Sequence, residues 1–320
     1  MKKSWKTIMG LGAATLLLTA CSASGDKADQ KALPRVGILQ YVEHDSLTAA
    51  RKGFEGGLAQ AGYHDGKEIK ITYENAQGDQ SNLQSLSEKL VSDNDVVLGI
   101  ATPAAQSLLA ASSKTPILFT AVTDPISAKL VKSMEKPSGL ATGTSDMSPI
   151  DQQVSLLQKL LPQAKTVGIM YTTSERNSEV QVEEAEKLFQ KAGIKVLKKG
   201  ISSTNDVQDT AKSLMKDVDV VFVPTDNTIA SAVTLLGDLS RETKIPVVGG
   251  SKDMVEGGIL FTYGPDYEKL GRQTAQMAVK VIKGERVSTL QAQYPEALEL
   301  AVNKDMAKVL GIDLSLVQDQ

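Results

Sequence analysis

The chain has 320 residues, a net charge of −3, 41% hydrophobic residues, one cysteine and two histidines. That charge balance leaves no electrostatic footprint for nucleic acid, and a single cysteine excludes an internal disulfide or a thiolate metal site. His44 and His64 are too few for a histidine-rich metal receptor, so neither metal nor cofactor is expected.

Residues 1–20 read as a lipoprotein signal peptide. Lys2, Lys3 and Lys6 make a positive start, and Ile8 to Leu18 is an apolar stretch of the roughly 7–15 residues usual for a signal core. It is shorter than the roughly 20 apolar residues of a spanning helix. The stretch closes on Leu18-Thr19-Ala20-Cys21, which resembles the lipobox of bacterial lipoproteins rather than a plain small-residue cleavage site. The resemblance implies a lipid on Cys21 and an extracytoplasmic protein anchored to the cell membrane. Residues 21–33, small and polar, then serve as a flexible tether.

Arg35 to Gln40 (RVGILQ) is the first buried-strand pattern, and Leu47 to Ala61 is a helical pattern stopping at Gly62. Ser81 to Val91 and Ala104 to Ala111 are further helices, alternating with strands around Asp95-Val96-Val97 and Thr115-Pro116-Ile117. Ser138 to Ser145 (SGLATGTS) reads as a crossover. The order then repeats: Val36-Gly37-Ile38, Asp95-Val96-Val97 and Thr115-Pro116-Ile117 are echoed by Val167-Gly168-Ile169, Asp219-Val220-Val221 and Ile245-Pro246-Val247. The offsets are nearly constant, at 131, 124 and 130 (167 − 36, 219 − 95, 246 − 116). Helical patterns again lie between, at Glu179 to Ala192, Val207 to Met215 and Ile229 to Leu239. Gly258 to Pro265 reads as a return crossing, Asp266 to Lys283 as a long helix packed on the first half, and Leu298 to Val302 as a final strand or third crossing. Alternating strands and helices imply parallel sheets. The expected fold is therefore α/β, with two doubly wound parallel-sheet lobes joined by a hinge. Lobe 1 takes residues 34–141 and 264–297, and lobe 2 takes 142–263 and 298–320.

Ligands of open parallel sheets bind at the carboxyl ends of strands, against helix starts. Those positions hold Tyr41, Glu43, Thr102, Ala104, Ala105, Thr123 and Asp124 in the first half. In the second they hold Tyr171, Ser174, Asn177, Ser178, Asp226, Asn227 and Ser251. Hydroxyls and helix-start amides suit a carboxylate, and a lone aspartate suits an ammonium group, so together they fit an amino-acid zwitterion. Thr102 with the amides of Ala104 and Ala105 is assigned the carboxylate; Asp226, then Asp124, is assigned the amine. Asp124 and Asp226 read equally well as helix caps or turn formers. Tyr41 and Tyr171 are taken as equivalent positions of the two lobes that sandwich an aromatic side chain, with packing at the core edge as the alternative. His44 reads as a cap or a lid contact rather than a catalytic base. Gly56-Gly57 reads as a turn or close-packing feature. Phosphate-loop, nucleophile-elbow and zinc-protease motifs are missing.

The stretches VGILQYVEHDSL, YENAQGD, ATPAAQ, TAVTDP, the NS of SERNS, and VPTDN resemble the TrpX-like solute-binding lipoproteins of ABC importers, over Pro34 to Asp313. The resemblance implies a type I periplasmic-binding-protein fold and no enzymatic activity. It implies an aromatic amino acid, L-tryptophan foremost, held between the lobes by the residues above. It also implies delivery by a monomer to a permease with its ATPase. Asp45 departs from the proline often found in the first motif. A sugar or nucleoside receptor, an extracytoplasmic ligand sensor and a degraded enzyme are the alternatives. The first of these usually stacks more planar aromatic groups than this chain offers.

Overall fold

The repeated strand patterns become the centres of two sheets. In the computed structural model, residues 32–137 and 139–317 are described; Cys21, the expected signal and most of the tether lie outside them. The first half runs β1 (Arg35–Gln40), α1 (Asp45–Gln60), β2 (Lys70–Asn75), α2 (Gln80–Asp93), β3 (Val96–Ile100), α3 (Thr102–Ala111), β4 (Ile117–Val122) and β5 (Ala141–Ser145). The second runs α4 (Ile150–Leu160), β6 (Thr166–Thr172), α5 (Arg176–Lys191), β7 (Lys195–Ile201), α6 (Val207–Leu214), β8 (Val220–Val223), α7 (Asn227–Ala230), α8 (Val233–Thr243), β9 (Val247–Gly249) and α9 (Lys252–Glu256). The chain finishes with β10 (Phe261–Gly264), α10 (Tyr267–Ile282), β11 (Glu299–Val302) and α11 (Lys304–Leu310).

Strand order is β2-β1-β3-β4-β5 in the first sheet and β7-β6-β8-β9 in the second, parallel throughout. The duplication has a packing cause. A Cβ on Gly37 would press on Leu90 in the last turn of α2 and on Asn94 at its C-cap, and one on Gly168 would press on Leu214 of α6. Both repeated glycines let a helix sit close on its strand.

In lobe 1, α1 and α10 cover one face of the sheet and α2 and α3 the other. The shared core runs from Val36 to Ala141 and includes Tyr267, Leu270, Ala275 and Ala278 of α10. As expected, α10 packs back on the first half. Its crossing with α1 is close because Gly53, Gly57 and Gly271 leave room for backbone to meet backbone. In lobe 2, α4 and α5 enclose a core with Phe189 edge-on to Phe222, ring centroids 5.7 Å apart. A second core, under α6 and α8, fills the opposite face.

Three expectations change. SGLATGTS is not simply a crossover: β5 pairs with β4 in the first sheet, so the chain leaves lobe 1 only after Ser145, not at residue 141. Its polar side chains are paired inside, Thr144 with the hydroxyls of Thr120 (3.0 Å) and Thr274 (2.7 Å), which lets a Gly/Thr-rich run be a buried strand. The Ile229 to Leu239 pattern is broken into α7 and α8, and the Ser231 hydroxyl turns back onto the Thr228 carbonyl at the break. The return crossing contains β10, which pairs antiparallel with β11 across residues 261–264 and 299–302. β2, β7 and α4 are additions: β2 and β7 are half-exposed edge strands interrupted by charged residues, while α4 buries Ile150, Val154, Leu157 and Leu160 at helical spacing.

Candidate functional site

The strand-end loops of the two lobes meet. His44, at the start of α1, contacts Asn227 at the start of α7 (Nε2 to Oδ1, 3.3 Å). Ser46 and Ser251 hydroxyls lie 2.8 Å apart, joining α1 to the start of α9, and α3 approaches α5. Backbone strain marks the same edge: Ala101, just after β3, and Ala121, next to last in β4, have φ of 81° and 56°. Such conformations cost about 1–3 kcal/mol in a non-glycine residue and collect at functional sites.

Lobe 2 presents two buried carboxylates. Asp226 caps α7 and accepts four bonds: the Thr172 amide (2.6 Å) and hydroxyl (2.8 Å), the Ser178 hydroxyl (2.7 Å) and the Ile229 amide (2.9 Å). A carboxylate offers about four lone-pair sites, so Asp226 has none left for an ammonium group. The direct amine clamp assigned to it is therefore corrected to a cap, the alternative its sequence position also allowed. Burial first, then the charge of Glu175, push its carboxyl up to about 7. Glu175 precedes α5 and is the residue sequence reasoning missed. It accepts from the amide and side chain of Asn227, from the amide and hydroxyl of Thr228, and from Asn177 Nδ2 at 2.9 Å. It stood in the YTTSERNS loop, but its burial depends on donors some 50 residues away, at Asn227 and Thr228.

These bonds fix the direction of the inter-lobe contact. Asn227 Nδ2 is spent on Glu175, so its Oδ1 can only accept and His44 Nε2 donates. Burial lowers the His44 pKa, against the Asn227 bond and the charges of Glu175, Asp45 and Glu43. His44 thus bridges the two lobes. Tyr41 follows β1 and is buried opposite the two acids. Burial, with the charges of Glu175 and Asp226, pushes its hydroxyl up to about 12, and hydrogen bonding with Thr228 opposes them.

Two buried polar atoms of the site have no protein partner: Thr102 Oγ1 in lobe 1 and Asn177 Oδ1 in lobe 2. Their residues are 1% and 4% exposed, and the large majority of buried side-chain polar atoms are bonded. Thr102 begins α3, so its hydroxyl stands beside the open amides of Thr102 and Ala104. The Ala105 amide bonds the Ala101 carbonyl (3.1 Å) and is closed to a ligand, which corrects its assignment. The pair thus offers a donor cluster from one lobe and an acceptor from the other.

The remaining residues divide. Ser178 holds Asp226, and Ser251 contacts Ser46 across the cleft. Thr123 is drawn to the hinge, donating to Asp146 (3.0 Å), which also accepts the Tyr267 hydroxyl (2.6 Å). Asp124 caps a turn at the Ile126 and Ser127 amides. Glu43 is exposed and bonded to Gln40, Thr48 and Asn75. Ser174 is exposed at the cleft's outer edge, near Pro103 and Gln106 of lobe 1. Tyr171 is not the counterpart of Tyr41. At the offset of 131 it aligns with Gln40 (171 − 131 = 40), and a one-residue slip along a strand reverses the face. Its ring packs on the lobe 2 core over Gly200, so the two-tyrosine sandwich is not formed.

Among the described residues no acidic, histidine or cysteine cluster could hold a metal ion, and no helix is long and apolar enough to cross a membrane. Residues 35–316 match the family described as ABC transporter substrate binding protein. A curated protein of Clostridioides difficile (strain R20291), named tyrosine-binding protein, is 41% identical over 92% of this chain and 88% of its own length. An ABC domain from Streptococcus pneumoniae solved in complex with L-Trp is 40% identical, with a TM-score of 0.85 over 88% of this chain and 96% of that one. The ligand-free, open structure of a Clostridium difficile substrate binding protein with adhesive properties is 42% identical over the same shares, with a TM-score of only 0.67. At near-equal identity and equal coverage, this chain therefore overlaps the L-Trp complex more closely than the ligand-free, open structure. More distant solved structures share the type I periplasmic-binding-protein fold. On family match, fold and relatives together, the chain belongs to the ABC transporter substrate binding proteins, which act outside the cytoplasm.

Proposed function

We propose that this protein captures an aromatic amino acid, tryptophan or tyrosine, by closing its lobes over it, and delivers it to an ABC permease with its ATPase. The observation that supports the reading is the closer overlap with the L-Trp complex, at a TM-score of 0.85, than with an open relative of near-equal identity, at 0.67. In this reading the ligand carboxylate takes the Thr102 hydroxyl and the first amides of α3. The side chain lies against Tyr41. His44–Asn227 and Ser46–Ser251 latch the lobes around it. The protein is a receptor and not an enzyme: the histidine of the cleft is a lid contact, and its carboxylates are filled with bonds. The lipobox-like LTAC supports a signal ending at residue 20, a lipid on Cys21 and attachment to the cell membrane.

Trp5 is the only tryptophan, which gives a direct test. The Trp5→Phe variant contains no indole, so its indole-selective emission reports ligand alone. Protein freed of ligand by unfolding, dialysis and refolding should be dark. Adding tryptophan should give a saturable, blue-shifted signal from a buried indole. Emission identical to free tryptophan at every ratio, together with no competition by tyrosine, would reject the reading.

A further inference from the structure

Glu175 and Asp226 are two neighbouring carboxylates, both buried, facing the other lobe. Among the described residues no lysine or arginine pairs with either. Arg176, next in the chain, turns away to Glu179 (3.1 Å) and Glu183 (3.7 Å). The titratable groups of lobe 1 that face them are the Tyr41 phenol and, through Asn227, the His44 imidazole. Neither is a ready cation: the phenol is neutral, and burial disfavours the imidazolium. Buried charge of this kind is costly without a counter-ion. Hydrogen bonds fill the lone pairs of both acids but do not cancel their charge. Glu175 holds Asn177 by its Nδ2 (2.9 Å), and the Thr225 carbonyl holds the same nitrogen at 2.9 Å. That leaves the Asn177 Oδ1, buried and unpartnered, as the one acceptor polarised by the pair.

We propose that Glu175 and Asp226 form the charge-selective element of the site, presenting their joint negative charge to the ligand's primary ammonium group through the Asn177 carboxamide oxygen. The inference rests on the amino-acid reading above and deepens it. The two acids are positioning residues: Asn177 touches the ligand and they set its polarity. The arrangement selects amino acids over the corresponding deaminated acids, which bring a carboxylate to Thr102 but no cation to Asn177. It also links binding to a proton. With Asp226 raised to about 7, its carboxyl holds part of a proton near neutrality. An arriving ammonium favours the ionised form, so that proton leaves to solvent. Affinity therefore rises with pH through this range and levels off once the pair is fully ionised.

Tryptophan titrated by calorimetry at neutral pH, in two buffers of different protonation enthalpy, reads the proton directly. The wild type should release part of a proton and bind at least about threefold more tightly near pH 8 than near pH 6. Glu175→Gln and Asp226→Asn should each abolish that release and weaken tryptophan about tenfold or more, as expected for losing a charge-assisted contact. Neither should weaken indole-3-propionate, which keeps the carboxylate but lacks the amine: with no cation to lose and a like charge removed, its affinity stays the same or rises. His44→Gln removes the imidazole as a proton source and should keep the release. A wild type with no proton release and a flat pH profile, or variants that keep both, overturns the proposal. So does an equal loss for tryptophan and its deaminated analogue. If neither variant shows a folding transition, the wild-type and His44→Gln proton counts decide. A wild type that binds neither tryptophan nor tyrosine rejects the amino-acid reading itself.

Discussion

Gly271→Val should lower the unfolding free energy by about 3 kcal/mol or more, at or beyond the upper end of ordinary overpacking. A Cβ at Gly271 collides with the Ala50 carbonyl oxygen and comes within 2.8 Å of the Phe54 amide nitrogen. Its partner Gly53 meets the Glu268 carbonyl oxygen in the same way. Backbone cannot swing aside as a side chain can, so α1 and α10 would have to separate. Leu47, Phe54 and Leu58 on one side, and Tyr267, Leu270 and Ala278 on the other, would lose their shared core. Gly56, on the same helix, is the contrast: its Cβ meets only the flexible end of Arg272. Gly56→Ala should be neutral or stabilising by up to about 1 kcal/mol, the helix propensity difference. Denaturant midpoints with unchanged slopes measure both. Equal destabilisation by the two substitutions would contradict the close-crossing account.

Thr102→Val should weaken amino-acid binding by roughly 1.5–3 kcal/mol, about ten- to a hundredfold, because a hydrogen bond to a charged carboxylate is lost. The same substitution should leave the ligand-free protein as stable as before, or more stable. The hydroxyl is buried without a protein partner, so removing it forfeits no internal bond and relieves a buried polar group. Weaker binding combined with unchanged or higher melting temperature is the signature of a ligand contact. A drop in stability with unchanged affinity would make Thr102 an ordinary cap. Calorimetry and thermal melts of the two proteins decide between them.

Much of the architecture was legible because it depends on local periodicity. RVGILQ became β1 residue for residue, and the repeated VGI marked both sheet centres, since each glycine seats a helix on its strand. What failed needed information from elsewhere in the chain. β5 looks like a linker until Thr144 finds the hydroxyls of Thr120 and Thr274. The site was half legible for the same reason. Strand-end rules located Tyr41, Thr102, Asn177, Asn227 and Ser251. They could not separate an open acceptor from a saturated one, so Asp226 was assigned a contact its four bonds preclude. Tyr171 failed for a simpler reason. The repeat offset places it one residue out of step with Tyr41, on the other face of its strand. Glu175 could only be recognised once Asn227 and Thr228 were seen to surround it.

Lobe closure over an aromatic amino acid ties these features together: the His44 and Ser46 contacts, the orphaned atoms of Thr102 and Asn177, and the likeness to an L-Trp complex. The most direct measurement is a calorimetric titration of refolded, ligand-free protein with tryptophan, tyrosine and phenylalanine, paired with thermal melts. Saturable one-to-one heat and a raised melting temperature with tryptophan or tyrosine are the predicted result. No heat and no melting shift with any of the three would contradict it.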